Sequence, residues 1–364
     1  MSDCVIRYTD GDAPFDLGAL AAYLSRHVVG FDGSMVMSQF AGGQSNPTFK
    51  ITGPKQSYVL RTKPGLARVL LRSAHAVDRE YRAQAALAGT DVPVAKMFCL
   101  CEDEDIIGRA FYLMEWMDGR VFWDPALPGL TPAQRGAVYD EMNRVIAALH
   151  SVDPVALGLA DYGRPGNYFA RQISRWSRGY VETRTDHLPV MDKLIEWLPA
   201  HIPQEDNEPL SIVHGDYRID NLMFHPTEPR VIAILDWELS TLGHPLADFA
   251  YNCMSWHSRP TEFRGIYGYD LAALGIPAAG DYVRAYLRRT GRSITGNWNF
   301  YLAYNMFRIA GILQGIKRRN IDGTAASKEA AQAAKGVVPM AELAWIYAGK
   351  VDAGETGFDA KRSV

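Results

Sequence analysis

The segment Ile212-Val213-His214-Gly215-Asp216-Tyr217-Arg218-Ile219-Asp220-Asn221-Leu222-Met223-Phe224 constrains this chain more than any other stretch. An apolar run delivers the backbone into a polar loop, and a second apolar run takes it out again. Loop 214–221 must therefore hang between two short strands. A third apolar run, Val231-Ile232-Ala233-Ile234-Leu235, ends on Asp236-Trp237-Glu238. Two carboxylates and one amide, Asp216, Asp236 and Asn221, thus stand at strand ends, each close to an apolar support.

The texture on either side of this loop differs. Upstream, short β-like runs at 35–40, 48–52 and 57–62 are broken by Gly and Pro. A helix is predicted over 74–87, where Val77, Tyr81 and Ala85 recur at i, i+4 and i+8. Strand-like runs at 94–101 and 110–117 follow. Residues 1–117 therefore read as an antiparallel sheet plus one helix. After the turn at 117–119 helices dominate. Thr131-Pro132-Ala133-Gln134 supplies an N-cap, a proline at the first helical position and a capping-box Gln. The apolar stripe that follows is Val138, Met142, Val145, Ile146 and Leu149. Further helices are predicted at 167–183, 187–200, 280–290, 297–319 and 326–348. The expected organisation is α+β, with one domain over 1–117, a helical domain over 118–350, and a frayed polar tail over 351–364. A length of 364 residues suits two such domains.

Composition narrows the function classes. A formal net charge of -3 gives no support to a polyanion-coating protein, so nucleic acid is not an expected partner. The run 300–316 carries Asn305, Arg308 and Gln314, so it reads as a core helix and not a membrane span. Residues 1–7 lack the basic-then-apolar pattern of a secretory leader. The four cysteines form no C-x-x-C pair and no zinc spacing, and they read as structural thiols in a reducing, cytoplasmic setting.

Phosphoryl transfer needs what loop 214–221 offers. One carboxylate orients the attacking hydroxyl and accepts its proton, while oxygen ligands hold Mg²⁺ against the nucleotide phosphates. The spacing Asp216-x-x-x-x-Asn221 matches the catalytic loop of protein kinases. A bland alternative, a polar hairpin turn with a capping Asp, leaves the downstream Asp236 unexplained.

His214-Gly215-Asp216-x-x-x-x-Asn221, together with Leu235-Asp236-Trp237-Glu238 and Gly243-x-Pro245-x-x-Asp248, resembles the aminoglycoside phosphotransferase-like family over nearly the whole chain. The resemblance implies a protein-kinase-like bilobal fold, with a small β-rich N-lobe and a larger, mainly helical C-lobe. Phe40-Ala41-Gly42-Gly43-Gln44-Ser45-Asn46-Pro47-Thr48, Tyr58-Val59-Leu60-Arg61 and 73–81 resemble a narrower branch: the kinase-like domain at the N-terminus of acyl-CoA dehydrogenase family members 10 and 11. Residue by residue, the resemblance implies that Asp216 is the catalytic base and that Asn221 and Asp236 ligate Mg²⁺. His214 would hold the loop, with Arg218 beside it in the catalytic segment, and Asp248 would brace the loop backbone. Asp220 and Glu238 match no assigned role.

On the nucleotide side, Gly42 and Gly43 suit a turn whose N–H groups approach phosphates, with Gln44, Ser45 and Asn46 as further donors. Kinases place a phosphate-binding lysine on the next strand, paired with a helix glutamate. The resemblance around Tyr58-Val59-Leu60 implies that Arg61 occupies that position, and Lys63 shares its strand face. Arg61 with Glu80 is the preferred pair, and Lys63 stays open as the alternative. The resemblance implies that the backbone around Glu115 and Met117 receives the adenine of ATP, with GTP also open.

The acceptor is expected to be a small hydroxylated molecule. Between Tyr162 and Arg184 five arginines face one acid, Glu182. Arg171, Arg175 and Arg178 fall at i, i+4 and i+7, near Tyr168. A second basic cluster is Lys317-Arg318-Arg319. Such a surface opposes a polycationic aminoglycoside and favours an anionic acceptor, and the branch resemblance implies a hydroxyacyl-CoA. A nucleotide-binding pseudokinase is the alternative that Arg61 raises. Against it, Asp216, Asn221 and Asp236 are all present. Oligomeric state is not legible.

Overall fold

Short amphipathic runs punctuated by glycine form the first part of the chain, in an order that a computed structural model describes for residues 4–8, 12–40, 46–64, 76–203, 210–324 and 330–357. Strand β1 (Cys4–Tyr8) and helix α1 (Leu17–His27) precede strands β2 (Val36–Phe40), β3 (Thr48–Thr52) and β4 (Ser57–Thr62). Helix α2 (Val77–Leu87) leads to β5 (Met97–Cys101), β6 (Phe111–Glu115) and the brief β7 (Arg120–Val121). Helices α3 (Pro132–Ser151), α4 (Tyr168–Thr183) and α5 (Pro189–Ala200) bring the chain to β8 (Ser211–Val213), β9 (Leu222–Phe224), β10 (Val231–Ile234) and β11 (Thr241–Gly243). The remainder is helical: α6 (Pro245–Cys253), single turns α7 (Pro260–Phe263) and α8 (Leu271–Leu274), α9 (Ala279–Thr290), α10 (Trp298–Ile321), α11 (Ala330–Ala333) and α12 (Val337–Asp352).

Two packing units result. The first comprises Met1–Val121, Val155–Leu159 and Asn221–Ser240; the second comprises Phe122–Pro154, Ala160–Asp220 and Thr241–Val364.

In the first unit six antiparallel strands run in the order β1-β2-β3-β4-β6-β5. Strand alternation puts Met37, Phe49, Ile51, Tyr58, Leu60 and Leu113 into one core, which Leu17, Leu20 and Leu24 of α1 complete. The sequence reading has one helix here, and the structure adds α1. Its signal was present: Asp16 caps it by accepting the Ala19 N–H at 2.9 Å, and its leucines recur at helical spacing. The other cluster gathers Val77 of α2, Ala110 and Tyr112. Arg61 pairs directly with Tyr112 across β4 and β6, so it shares that sheet face. The buried stripe of α2 is Val77, Glu80, Ala83, Gln84 and Leu87, which carries a carboxylate inward. A smaller sheet, β10-β9-β7, stands beside these elements. At Gly119 a Cβ would lie 2.5 Å from Met223 Cγ and 2.7 Å from the Phe224 carbonyl oxygen, so only glycine lets the chain pass there.

The second unit is built around α10, which is buried on nearly every side and packs against α4, α6 and α12. A helix apolar all round belongs in a core. Burying each side chain such as Phe300 or Leu302 contributes roughly 1.5–3 kcal/mol. No helix among the described residues is long and apolar enough to cross a membrane. The capping box of α3 closes as its sequence dictates, with the Gln134 N–H on Thr131 Oγ1 at 3.3 Å and the Thr131 N–H on Gln134 Oε1 at 2.9 Å. The helix predicted over 326–348 is instead α11, a 3-10 turn at Ala334–Gly336, and α12. Gly336 sits at that break, where a Cβ would meet Leu313 Cδ1 at 2.8 Å and the Glu262 carbonyl oxygen at 2.9 Å. Strands β8 and β11 pair antiparallel, Thr241 with Val213 and Gly243 with Ser211. That pairing sets the start of α6 against the loop leaving β8.

Candidate functional site

In the second unit, β8 ends at Val213 and the polar loop begins. The carboxylate of Asp248, in the first turn of α6, is its anchor. Asp248 Oδ2 accepts the His214 N–H at 2.8 Å and Oδ1 accepts the Gly215 N–H at 2.9 Å. His150 Nε2 lies 3.2 Å from Oδ2, and its Nδ1 lies 2.7 Å from the Tyr286 hydroxyl. Burial pushes the Asp248 carboxyl up, but the His150 hydrogen bond and the His150 and His214 charges outweigh it, and the net shift is down. Burial pushes His150 down, against the pull of Asp248. Gly215 adopts φ +82°, a conformation that favours glycine. The Asp216 N–H then donates to His214 Nδ1 at 3.3 Å, so the buried His214 ring supports the loop from within.

Asp216 emerges from this brace with both oxygens engaged. Arg218 Nη2 donates to Oδ2 at 3.2 Å, and Arg218 Nε lies 3.2 Å from Oδ1. The Tyr251 hydroxyl, on α6, also donates to Oδ1. Burial, then the Asp216 charge, pushes the Tyr251 phenol up, so it stays protonated as a donor. Arg308 of α10 donates to the Gly215 carbonyl, with its guanidinium 5.0 Å from the Tyr251 ring centre and 5.4 Å from that of Trp176. Asp220 pairs with Arg264 and lies 3.4 Å from Arg218 Nε. Sequence reasoning missed Tyr251, Arg308 and Arg264. The available signals were weak: Tyr251 follows Asp248 by three residues on one helix face, and Arg308 is a lone cation in an apolar run.

The first unit holds a second cluster. Arg61 Nε lies 2.8 Å from Glu80 Oε2, a charge contact off the N–H axis, while Nη2 donates to Asp236 Oδ1 at 3.0 Å and lies 3.9 Å from Glu238 Oε2. Glu80 is buried and also accepts from Asn46 Nδ2 at 2.7 Å and from the Tyr112 hydroxyl at 3.0 Å. Burial opposes the Arg61 charge, but Glu80 foremost, with Tyr112, Asp236 and Glu238, outweighs it and raises the guanidinium further. Burial pushes the Glu80 carboxyl up, and Arg61 pulls it back. Asp236 has φ +62°, a left-handed conformation that non-glycine residues adopt at a cost. The Leu235 N–H donates to the Asn221 carbonyl at 2.8 Å, so Asn221 and Asp236 stand at the adjoining ends of β9 and β10.

These residues fit Mg²⁺. One amide oxygen and one carboxylate suit an ion that keeps several waters and takes few protein ligands. Glu80, Asp236 and Glu238 all approach the Arg61 guanidinium, so Asp236 stands in an acid-rich setting. Among the described residues, no three carboxylate, imidazole or thiolate groups converge into a ready-made cage.

Gly42, Gly43, Gln44 and Ser45 lie outside the described residues. Asn46, expected as a phosphate donor, is buried and directs its amide to Glu80, so it supports the ion pair from behind. The Glu115 N–H is engaged by the Lys96 carbonyl at 2.9 Å, and Met117 lies two residues past the end of β6. The basic helix face is smaller than its sequence suggests. Arg171 turns back to the carbonyls of Arg164 and Pro165, at 2.7 and 3.2 Å, and holds the turn that opens α4. Arg175 lies 5.1 Å from the Trp176 ring centre, and Arg178 is exposed. Tyr168 is buried in the unit's interior, beside Phe169 and Gly243, and does not face solvent. Of the second cluster, Lys317 pairs with Asp186 at 2.6 Å and Arg318 with Asp322 at 2.9 Å.

The profile of the "Phosphotransferase enzyme family" matches residues 36–292. The chain belongs to that family. Mouse acyl-CoA dehydrogenase family member 10 is 47% identical over 321 residues, covering 87% of this chain and 30% of the relative. Rat acyl-CoA dehydrogenase family member 11 is 41% identical over 336 residues, covering 90% and 42%. This phosphotransferase-family chain thus spans less than half the length of either relative. A solved Ralstonia eutropha protein, provisionally described as an aminoglycoside phosphotransferase, is 62% identical with a TM-score of 0.86, covering 92% of this chain and 99% of that one. The aminoglycoside phosphotransferase APH(4)-Ia, solved with AMP-PNP and hygromycin B, matches with a TM-score of 0.56 at 15% identity, over 92% and 99% of the two chains. The fold is therefore the kinase-like aminoglycoside phosphotransferase fold, α+β with an antiparallel sheet.

Proposed function

We propose that this phosphotransferase-family chain moves the γ-phosphoryl group of Mg-ATP onto the hydroxyl of a small acceptor, and that the acceptor is a hydroxyacyl-CoA. The observation that carries the first half is the Asp216 carboxylate, oriented by Arg218 and Tyr251 on a loop anchored by Asp248. Asp216 would orient the acceptor hydroxyl and take its proton as the acceptor oxygen bonds to the γ-phosphorus and the bond to ADP breaks. Asn221 and Asp236 would hold Mg²⁺, which supplies charge neutralisation along the phosphates. Arg61, fixed by Glu80, would offer a two-pronged donor to the phosphates where many kinases use a lysine. The solved relative with AMP-PNP supports nucleotide use by the fold.

The acceptor half rests on the identity to acyl-CoA dehydrogenase family members 10 and 11, whose names place CoA thioesters among their concerns. The exposed Arg175 and Arg178 give it modest further support. The test is ADP release with Mg-ATP across hydroxyacyl-CoA thioesters, sugars and aminoglycosides, with mass detection of the phosphorylated product and Asp216→Ala as control. Thioester-dependent ADP release and a phosphorylated thioester are expected. Turnover of sugars or aminoglycosides alone would remove the acceptor, and nucleotide binding without any turnover would favour a pseudokinase.

A further inference from the structure

We infer that an aromatic cavity in the second unit receives the apolar carbons beyond the acceptor's hydroxyl, so that the protein selects acceptors by the length of that chain. This rests on the phosphotransfer reading for its chemistry, but the cavity stands on its own geometry. Its walls include Trp123, Tyr139, Met142, Met254, Trp256 and Phe263. Tyr139 and Trp256 pack edge to face with ring centres 5.2 Å apart.

The polar ends of Tyr139, Trp256 and Tyr217 are satisfied by backbone carbonyls. The Tyr139 hydroxyl donates to the Pro125 carbonyl at 2.7 Å, Trp256 Nε1 to that of Pro277 at 2.8 Å, and the Tyr217 hydroxyl to that of Met142 at 2.8 Å. On this side the walls present ring face and thioether, which an apolar group satisfies, while Arg218, Asp220 and Arg264 line the side nearer the loop. Trp123 stands 66% exposed, a large aromatic surface left in solvent at the wall of a cavity.

Two further lining residues, Tyr251 and Arg218, are the side chains that hold the Asp216 carboxylate. A hydroxyl presented to Asp216 therefore has its neighbouring carbons beside the same two side chains. The cavity volume is about 40 Å³, which corresponds to about three water-sized positions, or roughly three to four carbons of chain. The walls thus favour a short alkyl extension and set a limit to it.

The experiment is calorimetric titration of the full chain with hydroxyacyl-CoA thioesters carrying one to eight carbons beyond the hydroxyl, with ADP release measured separately on the same compounds. Kd is expected to fall about fourfold per methylene for roughly the first three or four carbons and then to level off. In Trp123→Ala and Phe263→Ala, at exposed and half-buried positions, the increment should drop below about twofold per methylene. A Kd independent of chain length, absence of binding included, overturns the inference, as does a wild-type increment that survives in both variants. ADP release decides the phosphotransfer reading by itself: chain-length-dependent binding without ADP release would leave the cavity standing and remove the chemistry.

Discussion

The two polar clusters are built on opposite principles. In the first unit, Glu80, Asp236 and Glu238 converge on the Arg61 guanidinium. In the second unit, Asp216, Asp220 and Asp248 are matched by Arg218, Arg264, His150 and two backbone N–H groups, with Arg308 on the loop's own carbonyl. The difference teaches that one cluster gathers acids around a cation, while the other surrounds its acids with cations and N–H donors. An acid-rich cluster at strand ends suits an incoming cation, whereas a charge-balanced loop suits a carboxylate that must not move.

That contrast can be tested at several strengths. Asp216→Ala should lower kcat by about a thousandfold or more, because it removes the proton acceptor, while costing only about 1–2 kcal/mol of stability, since the Tyr251 hydroxyl loses its acceptor and the Asp248 brace stays; coupled ADP release measures it. Asp248→Ala should cost about 4 kcal/mol of stability, read from the urea midpoint, since it strands two loop N–H groups and His150. Arg61→Ala should cost roughly 3 kcal/mol by leaving Glu80 buried without its cation, and the double change Arg61→Leu with Glu80→Met should restore much of that stability. Failure of that rescue would mean that the pair matters to the fold beyond its charge.

Acid should act on the second unit. Burial holds His244 and His257 down to about 4, with nearby cations adding to the effect. Their folded values lie below the ordinary 6.5, so the unfolded chain binds the extra protons. Stability is then full above about pH 6.5 and is lost as pH falls toward 4, by about 2–3 kcal/mol for each histidine. Unfolding midpoints across that range check it, and His244→Gln should flatten the profile. The smallest effect belongs to Arg171→Ala, which should change thioester affinity less than about twofold, because Arg171 holds the turn at Arg164 and Pro165.

How far each cluster was legible in the sequence follows from contact range. Asp216 and Asn221 could be read because eight residues of loop between two apolar runs leave few ways to fold. Glu80 and Arg61 could be paired through the resemblance to the kinase lysine–glutamate pair; strand periodicity alone leaves Lys63 on the same face as an alternative. Tyr251 and Arg308 could not be read, since they reach the loop from positions 35 and 93 residues away. Tyr168 and Arg171 misled for the same reason: helical spacing gives a residue's direction around its own axis, not what waits there.

The sequence alone therefore determined the chemistry-bearing loop, the β-rich and helical halves and the residue types at the strand ends, because those rest on local spacing and hydrophobic period, while its motifs carried the resemblance that implied the kinase-like fold. Only tertiary structure decided which side chains grip Asp216, that Asn46 stands behind Glu80, and that aromatic side chains leave a cavity beside Tyr251. Those outcomes depend on packing between segments distant in the chain, where burial and hydrogen-bond satisfaction select one arrangement from many that the sequence permits.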